Sequence, residues 1–514
     1  MAFSIVLLAV FLVGMIGIGI WGMRKTATLN DFFLGGRSVG PWMTAFAYGT
    51  TYFSAVIFIG FGGKIGWGYG LKGLWIAAGN TIVGAMLAWF VLGRRTRRMT
   101  QNLGAMTMPE FLQERYEGSY IKAFAAMIIF VFLIPYSAGV FQGLSYLFEA
   151  NFHIPYDYAL LGMVGVTGIY LILGGYFAVT LTDFVQGIIM LVGAAAMVLI
   201  LSDKANQLLG TTGGIPAAIS GASERYGQFF ATIPPEKQPS MLAFGALVFM
   251  TSFGVWGMPQ MVQKFYAIKN ESVIVKAAIV TTLFAAIITF AAYYTGALTH
   301  VFFDKASIPM MADPTKGPDY GKVIPMLLIQ HLPGGLMAVI LLLILSASMS
   351  TLSSLVLVSA SSIAIDLYKG HVEPEISKEK SLLMMRFLSG IFIAFSYIIA
   401  KYKFAFIVEL MSLSWGAVAG AFMAPFFYGL YWKRATHHGV VAGMVSGLVI
   451  SILLYYQVGN QAAAVANIYK ALGGMTPPIA ASIGMIVPFI VVPLVSMFTA
   501  PPKKELLDKA FANI

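Results

Sequence analysis

The chain has 514 residues, 59% of them apolar and only 10% charged, with a mean hydropathy of +0.82. That is too little charge to clothe a water-soluble surface and too much apolar surface for a disordered chain. The absence of cysteine excludes a disulfide framework, a thiolate metal site and a cysteine nucleophile, and in so apolar a chain the net charge of +11 reports bilayer topology, not a nucleic-acid partner.

Thirteen apolar segments follow one another, at 2–23, 42–66, 73–93, 121–145, 157–177, 183–202, 241–262, 275–302, 324–365, 382–400, 404–430, 439–457 and 477–499. Each is long enough to cross a bilayer, which takes about 20 residues as a helix. The first has its basic pair, Arg24 and Lys25, after it and no small-residue cleavage site, so it reads as a span and not as a secretory signal. The ninth is over-long and predicts a re-entrant or loop start near Lys322–Leu332. Thirteen spans put the termini on opposite sides. With the N-terminus outside, the inner connections, Lys264 included, hold 21 of the 32 Lys and Arg and the outer ones 11. That bias predicts N-out, C-in. The stretches 203–240 and 303–323 read as outer loops, Asp366–Lys380 as a solvated inner loop, and 500–514 as a short basic inner tail.

Polar groups and helix breakers inside spans are costly, so their positions carry the functional signal. The second span is interrupted by Gly49-Thr50-Thr51-Tyr52-Phe53-Ser54-Ala55. A helix broken there frees carbonyls that can coordinate a cation, the alternative being a small-residue packing face. The sixth opens with Thr182-Asp183, either of which can cap an inner helix, and an aspartate there can cap and still attract a cation. The seventh holds Gly254-Val255-Trp256-Gly257-Met258-Pro259-Gln260, which predicts unwinding. It lies five spans after the first broken one, and breaks at matching places in two halves point to inverted repeats, here spans 2–6 and 7–11. The ninth carries six hydroxyls in the nine residues Ser346–Ser354. They are hard oxygen ligands suited to Na⁺, or else back-bonds to the preceding turn. Glu409, in the eleventh span near its outer end, is placed to pair with Lys401 or Lys403 or else to snorkel. The six histidines form no metal-binding spacing, there is no Walker A motif, and the glycine strings at Gly62–Gly70 do not join a strand to a helix, so no organic cofactor is expected. The run Arg94–Arg98 lies at a span end and reads as headgroup contact.

Three stretches together resemble the solute:sodium symporter family, which includes proline, pantothenate, sialic acid and sodium/sugar symporters. They are Leu34-Gly35-Gly36-Arg37-Ser38-Val39-Gly40-Pro41, the run from Gly174 to Gln186, and Met349-Ser350-Thr351-Leu352-Ser353-Ser354 followed by Ser361-Ser362 and Asp366-Leu367-Tyr368-Lys369. The resemblance implies an all-α polytopic membrane protein of LeuT-type fold with about 13 transmembrane helices. The 5+5 inverted repeat would occupy 42–202 and 241–430, with an extra helix at 2–23, two more at 439–499 and a cytoplasmic tail at 500–514. It implies a Na⁺ site made of Thr50, Phe53, Ala347, Ser350 and Thr351, with Asp183 on the exit path. A second Na⁺ is implied at Asp183, Ser350, Ser353 and Ser354, as in sialic acid symporters. The proline-type pattern fails at three positions, where Tyr52, Thr251 and Val255 stand for the expected Asp, Trp and Tyr. The second and seventh spans look more like the pantothenate and monocarboxylate branch. Family substrate sites line spans two, four and seven, which carries the expectation to Thr51, Ser54, Tyr136, Gln142, Trp256 and Gln260. Aromatic packing is the other reading of Tyr136 and Trp256. With no Arg or Lys in these stretches, a carboxylate substrate would rely on hydroxyls, a helix N-terminus or Na⁺ itself.

The expected function is therefore a Na⁺-coupled symporter of the plasma membrane, importing a small organic solute such as an organic acid or amino acid by alternating access. Proton coupling on the same fold is the nearest alternative. A membrane-embedded enzyme or sensor is the more distant one, and no nucleophile–base or metal set supports it.

Overall fold

Apolar segments in a bilayer must satisfy their backbone groups internally, and helices do so. The computed structural model describes residues 2–24, 34–173, 176–235, 238–311, 317–460 and 476–514, and each of the thirteen apolar segments falls on helix there. Among the described residues ten helices are long and apolar enough to cross a membrane. The bent pair Met241–Gly257 and Pro259–Tyr266, with 45° between its halves, makes an eleventh. The second segment is split, its first half being the separate 12-residue helix Pro41–Tyr52. Its second half runs into the third segment as Val56–Leu103, turning at Gly70, whose φ of 55° suits glycine. The fifth segment is helix Tyr156–Leu173; Gly174 and Gly175, which open one of the family-like stretches, lie outside the described residues, as does Lys25.

Several expected loops are ordered. The ninth segment starts as a separate helix, Tyr320–His331, and resumes after Pro333 as Gly334–Ser361. The stretch 203–240 is shortened from one side by helix Tyr176–Leu209 and contains helix Gly214–Ala231, whose Tyr226 hydroxyl donates to the Gly68 carbonyl at 2.9 Å. Asp366 is not solvated: it is buried, accepts from the Thr107 hydroxyl at 2.7 Å and lies 3.8 Å from Lys122. The tail forms helix Lys504–Ala510, and Asn102 donates to the Ala512 carbonyl beyond it at 2.9 Å.

Helix Pro41–Tyr52 lies at the centre, packed by Tyr176–Leu209, Ser272–Ala297 and Gly334–Ser361. Helix Ile407–Tyr431 covers Gly254–Gly257, where the seventh segment tightens into a 3₁₀ turn before it breaks at the extended Met258. Small residues set this packing, because helices in a bilayer gain contact by close backbone approach. At the crossing of Gly62–Tyr69 with Ser272–Ala297, a Cβ on Gly66 would collide with the Gly296 backbone. Gly66→Ala should therefore cost about 1–3 kcal/mol by overpacking. Melting in detergent checks this, with Gly68→Ala, which has open space around it, expected to be neutral or stabilising.

Candidate cation and solute site

Helix Pro41–Tyr52 stops because Phe53 is extended, at φ −114° and ψ 120°. The Phe53 amide still reaches the Gly49 carbonyl at 3.3 Å, but the next carbonyls lose their helical partners. Helix Gly334–Ser361 supplies replacements. The Ser350 hydroxyl donates to the Thr50 carbonyl at 3.0 Å, and the Thr351 hydroxyl to the carbonyls of Thr50 at 3.3 Å and Thr51 at 3.1 Å. Both hydroxyls also lie 3.1 Å from the Ala347 carbonyl. Thr50, Ala347, Ser350 and Thr351 of the expected Na⁺ set thus converge in one buried cluster of oxygens, with Phe53 at the break and its ring stacked on Tyr52. Carbonyl and hydroxyl oxygens are hard donors, and their number suits a small hard cation.

Asp183 is the eighth residue of helix Tyr176–Leu209, too far in to cap it. It is fully buried and pairs at 3.7 Å with Lys264, which is 1% exposed. Lys264 is therefore not part of a solvated inner connection. It belongs to helix Pro259–Tyr266, which leaves 20 basic residues on the inner side of the expected topology against 11. Its ammonium donates to the Ser354 hydroxyl at 3.1 Å and faces the Tyr176 ring at 5.2 Å. Ser354 in turn shares a 2.9 Å hydrogen bond with the Thr51 hydroxyl. Of the residues expected around a second Na⁺, Asp183 and Ser354 meet through this ammonium, Ser353 turns back to the Ser350 carbonyl at 2.9 Å, and Ser350 stays with the first cluster.

A pocket opens beside the break. It holds about 30 Å³ and is lined by Ser54 and Tyr136, two of the six residues expected at the solute, together with Tyr52, Asn80, Thr251, Tyr293 and Trp415. Tyr136 meets Trp415 edge to face at 5.9 Å, and the Tyr52 hydroxyl donates to the Thr251 carbonyl at 2.6 Å. The other expected substrate residues lie elsewhere. Thr51 faces Ser354, Trp256 donates to the Val83 carbonyl at 3.1 Å, and Gln260 is buried on the helix beyond the second break. Gln142 lines a larger cavity of about 800 Å³ with Lys64, Lys322, Lys403, Asp319 and Glu409. Glu409 pairs there with Lys64 at 3.5 Å, and neither Lys401 nor Lys403 is its partner. In the loops around this cavity burial raises the Asp319 carboxyl above its ordinary value and lowers the Lys403 ammonium below its own. The opposite end of the bundle is tied shut by arginines on carbonyls: Arg37 to Ala105 at 2.8 Å, Arg97 to Ile268 at 2.6 Å and Arg115 to Gly429 at 3.0 Å.

A broken helix facing a hydroxyl-rich one, a pocket beside the break and a cavity open at one end are the parts of a membrane transporter with its site at mid-depth. Residues 32–447 match the sodium:solute symporter family, and the chain belongs to that family. It is 31% identical over 462 residues to the sodium/proline symporter of Staphylococcus aureus strain bovine RF122 / ET3-1, covering 87% of this chain and 85% of that protein. The same symporter from S. aureus strain NCTC 8325 / PS 47 matches equally. Among solved structures, a substrate-bound outward-open Na⁺-coupled sialic acid symporter superposes with a TM-score of 0.75 at 18% identity, covering 98% of each chain. A nucleobase-cation-symport-1 family transporter in a closed conformation superposes at 0.53 and 14% identity, over 93% and 97%. Both are LeuT-fold transporters, and the chain shares their fold.

Thr351→Val removes the donor that holds the Thr51 carbonyl and shares that of Thr50. Leaving a buried carbonyl unpaired costs about 1–3 kcal/mol. A lowered melting temperature without added ligand is expected, and little change for Ser348→Ala, whose hydroxyl only back-bonds to Ile344 in its own helix.

Proposed function

We propose that the chain is a Na⁺-coupled symporter that binds Na⁺ at Thr50, Phe53, Ala347, Ser350 and Thr351 and carries a small organic acid or amino acid in the pocket beside that cluster. The observation that carries this reading is the pairing of the two freed carbonyls with the Ser350 and Thr351 hydroxyls. Donors and acceptors that bond one another across two helices can turn their oxygens to a cation, and a cation that joins the helices favours one arrangement of the bundle over the other. The names of the relatives support the same class: a sodium/proline symporter in sequence and a Na⁺-coupled sialic acid symporter in fold. The pocket offers aromatic faces, hydroxyls and the Asn80 amide but no Arg or Lys. At about 30 Å³ the pocket admits a solute only once its side chains part; a solute carboxylate would then be met by polar neutral groups and by the field of the neighbouring Na⁺, while aromatic rings enclose an apolar body. Tyr52 and Thr251 in place of the proline-type residues favour a solute other than proline.

The topology in this proposal is N-out, C-in, with the chain in the plasma membrane. The repeats are 42–202 and 241–430, and each begins with a broken helix, at Phe53–Ser54 and at Gly254–Met258. The large cavity then opens outward and the arginine ties close the inner side, an outward-facing state ready for solute.

Screening the purified chain by thermal stabilisation against amino acids, sugars and organic acids, with and without Na⁺, tests the reading. Na⁺ alone should stabilise, and a true solute at 100 times its Kd should add about 2.7 kcal/mol only when Na⁺ is present. Thr351→Ala should weaken the Na⁺ effect about tenfold in concentration, the cost of losing one bond to a charged group. Stabilisation by solute that ignores Na⁺, with uptake that collapses with the pH gradient, would replace Na⁺ by protons as the coupling ion.

A further inference from the structure

We infer that Lys264 is a tethered cation: its ammonium fills the position between Asp183 and Ser354 where a second Na⁺ would otherwise bind, so that this chain takes up one Na⁺ and not two. The inference rests on the proposed Na⁺ site at Thr50–Phe53 and Ala347–Thr351 and adds a second, permanently loaded cation position beside it.

The geometry is that of a monovalent cation in a site. The ammonium lies 3.7 Å from Asp183, 3.1 Å from the Ser354 hydroxyl and over the face of Tyr176 at 5.2 Å, and both charged side chains are essentially without solvent contact. Neither Asp183 oxygen has a hydrogen-bond partner among the described residues. The carboxylate is therefore balanced by a charge alone, as it would be by an ion. An isolated buried carboxylate is expensive, and a buried pair is held because removing either partner leaves the other uncompensated. Two monovalent cations competing for one carboxylate at this separation repel, so the ammonium excludes Na⁺ while it stays.

The place of Lys264 in the fold gives the tether a use. Asp183 belongs to the last span of the first proposed repeat and Lys264 to the second half of the broken helix that opens the other, so the pair joins the repeats. From Lys264 a chain of hydrogen bonds runs through Ser354 and the Thr51 hydroxyl, and the Thr51 carbonyl accepts from Thr351 in the Na⁺ cluster. Movement of helix Pro259–Tyr266 would draw the ammonium from Asp183 and reach the Na⁺ ligand Thr351 through three hydrogen bonds. In a two-Na⁺ transporter that step waits for an ion to leave; here the ion is carried by the helix itself.

The test counts ²²Na⁺ bound to the purified full-length chain, with Na⁺ alone as the probe. The wild type should bind one per chain. Lys264→Ala should bind two, and Lys264→Ala with Asp183→Asn should return to one. Two Na⁺ on the wild type, or one on a folded Lys264→Ala that keeps wild-type affinity, would overturn the inference and leave Na⁺ symport standing. No Na⁺ on the wild type but one on Lys264→Ala would remove the first site while the tethered cation survives; none on either overturns both. If Lys264→Ala does not fold, Lys264→Arg keeps a cation and should keep the count at one, and a count of two on it overturns the inference.

Discussion

A broken helix in a bilayer exposes carbonyls that neither water nor lipid can satisfy, and everything at the centre of this protein answers that constraint. The break at Phe53 is tolerable only because Ser350 and Thr351 reach across from helix Gly334–Ser361 to the carbonyls of Thr50 and Thr51. On the proposed reading those hydroxyls, hydrogen-bond donors here, would offer their lone pairs to the cation, so that the same oxygens would serve two states of the bundle. A fully apolar packing of the two helices would hold them together as well, but it would give them no reason to part.

The ionisable pair deepens the same logic. Charge is scarce in the spans, and Asp183 and Lys264 are placed there together, each leaving the other uncompensated if it were removed. A hydrogen-bonded link through Ser354 and Thr51 connects them to the broken helix. On the proposed reading the cation and solute sites would lie on opposite sides of one short segment, Thr50 to Ser54, so that a shift of that segment would reach both. The arginine ties at one end and the open cavity at the other show where the bundle is closed and where it is open.

Much of this was legible in the residues because the membrane penalises ambiguity. Hydroxyls at Ser346–Ser354 and the glycine–hydroxyl run at Gly49–Ser54 stood out against apolar surroundings, and the structure brings Thr50, Ala347, Ser350 and Thr351 together. Lys264 did not stand out. A single lysine just past an apolar segment reads as part of a solvated inner connection, and its partner Asp183 is distant in the chain. The available signal was Pro259: a helix restarted there carries Lys264 along for another turn and a half, too deep for a loop. The pocket residues split for a related reason. Ser54 sits at a break and Tyr136 on a continuous helix, whereas Trp256 lies in the 3₁₀ turn Gly254–Gly257, where α-helical spacing no longer tells which way a side chain points. Asn80 and Trp415 were missed because they sit in helices that are apolar nearly all round, so periodicity marks no face.

The central claim is that Na⁺ binds where the break meets the hydroxyl-rich helix. Hydrogen exchange measured by mass spectrometry on the full chain, in Na⁺ against an equal concentration of choline, addresses it without knowledge of the solute. The account predicts Na⁺-specific protection of amides in 49–58 and in 346–355 together, abolished in both by Ser350→Ala with Thr351→Ala. Protection that appears only elsewhere, or that is the same in choline, would contradict it.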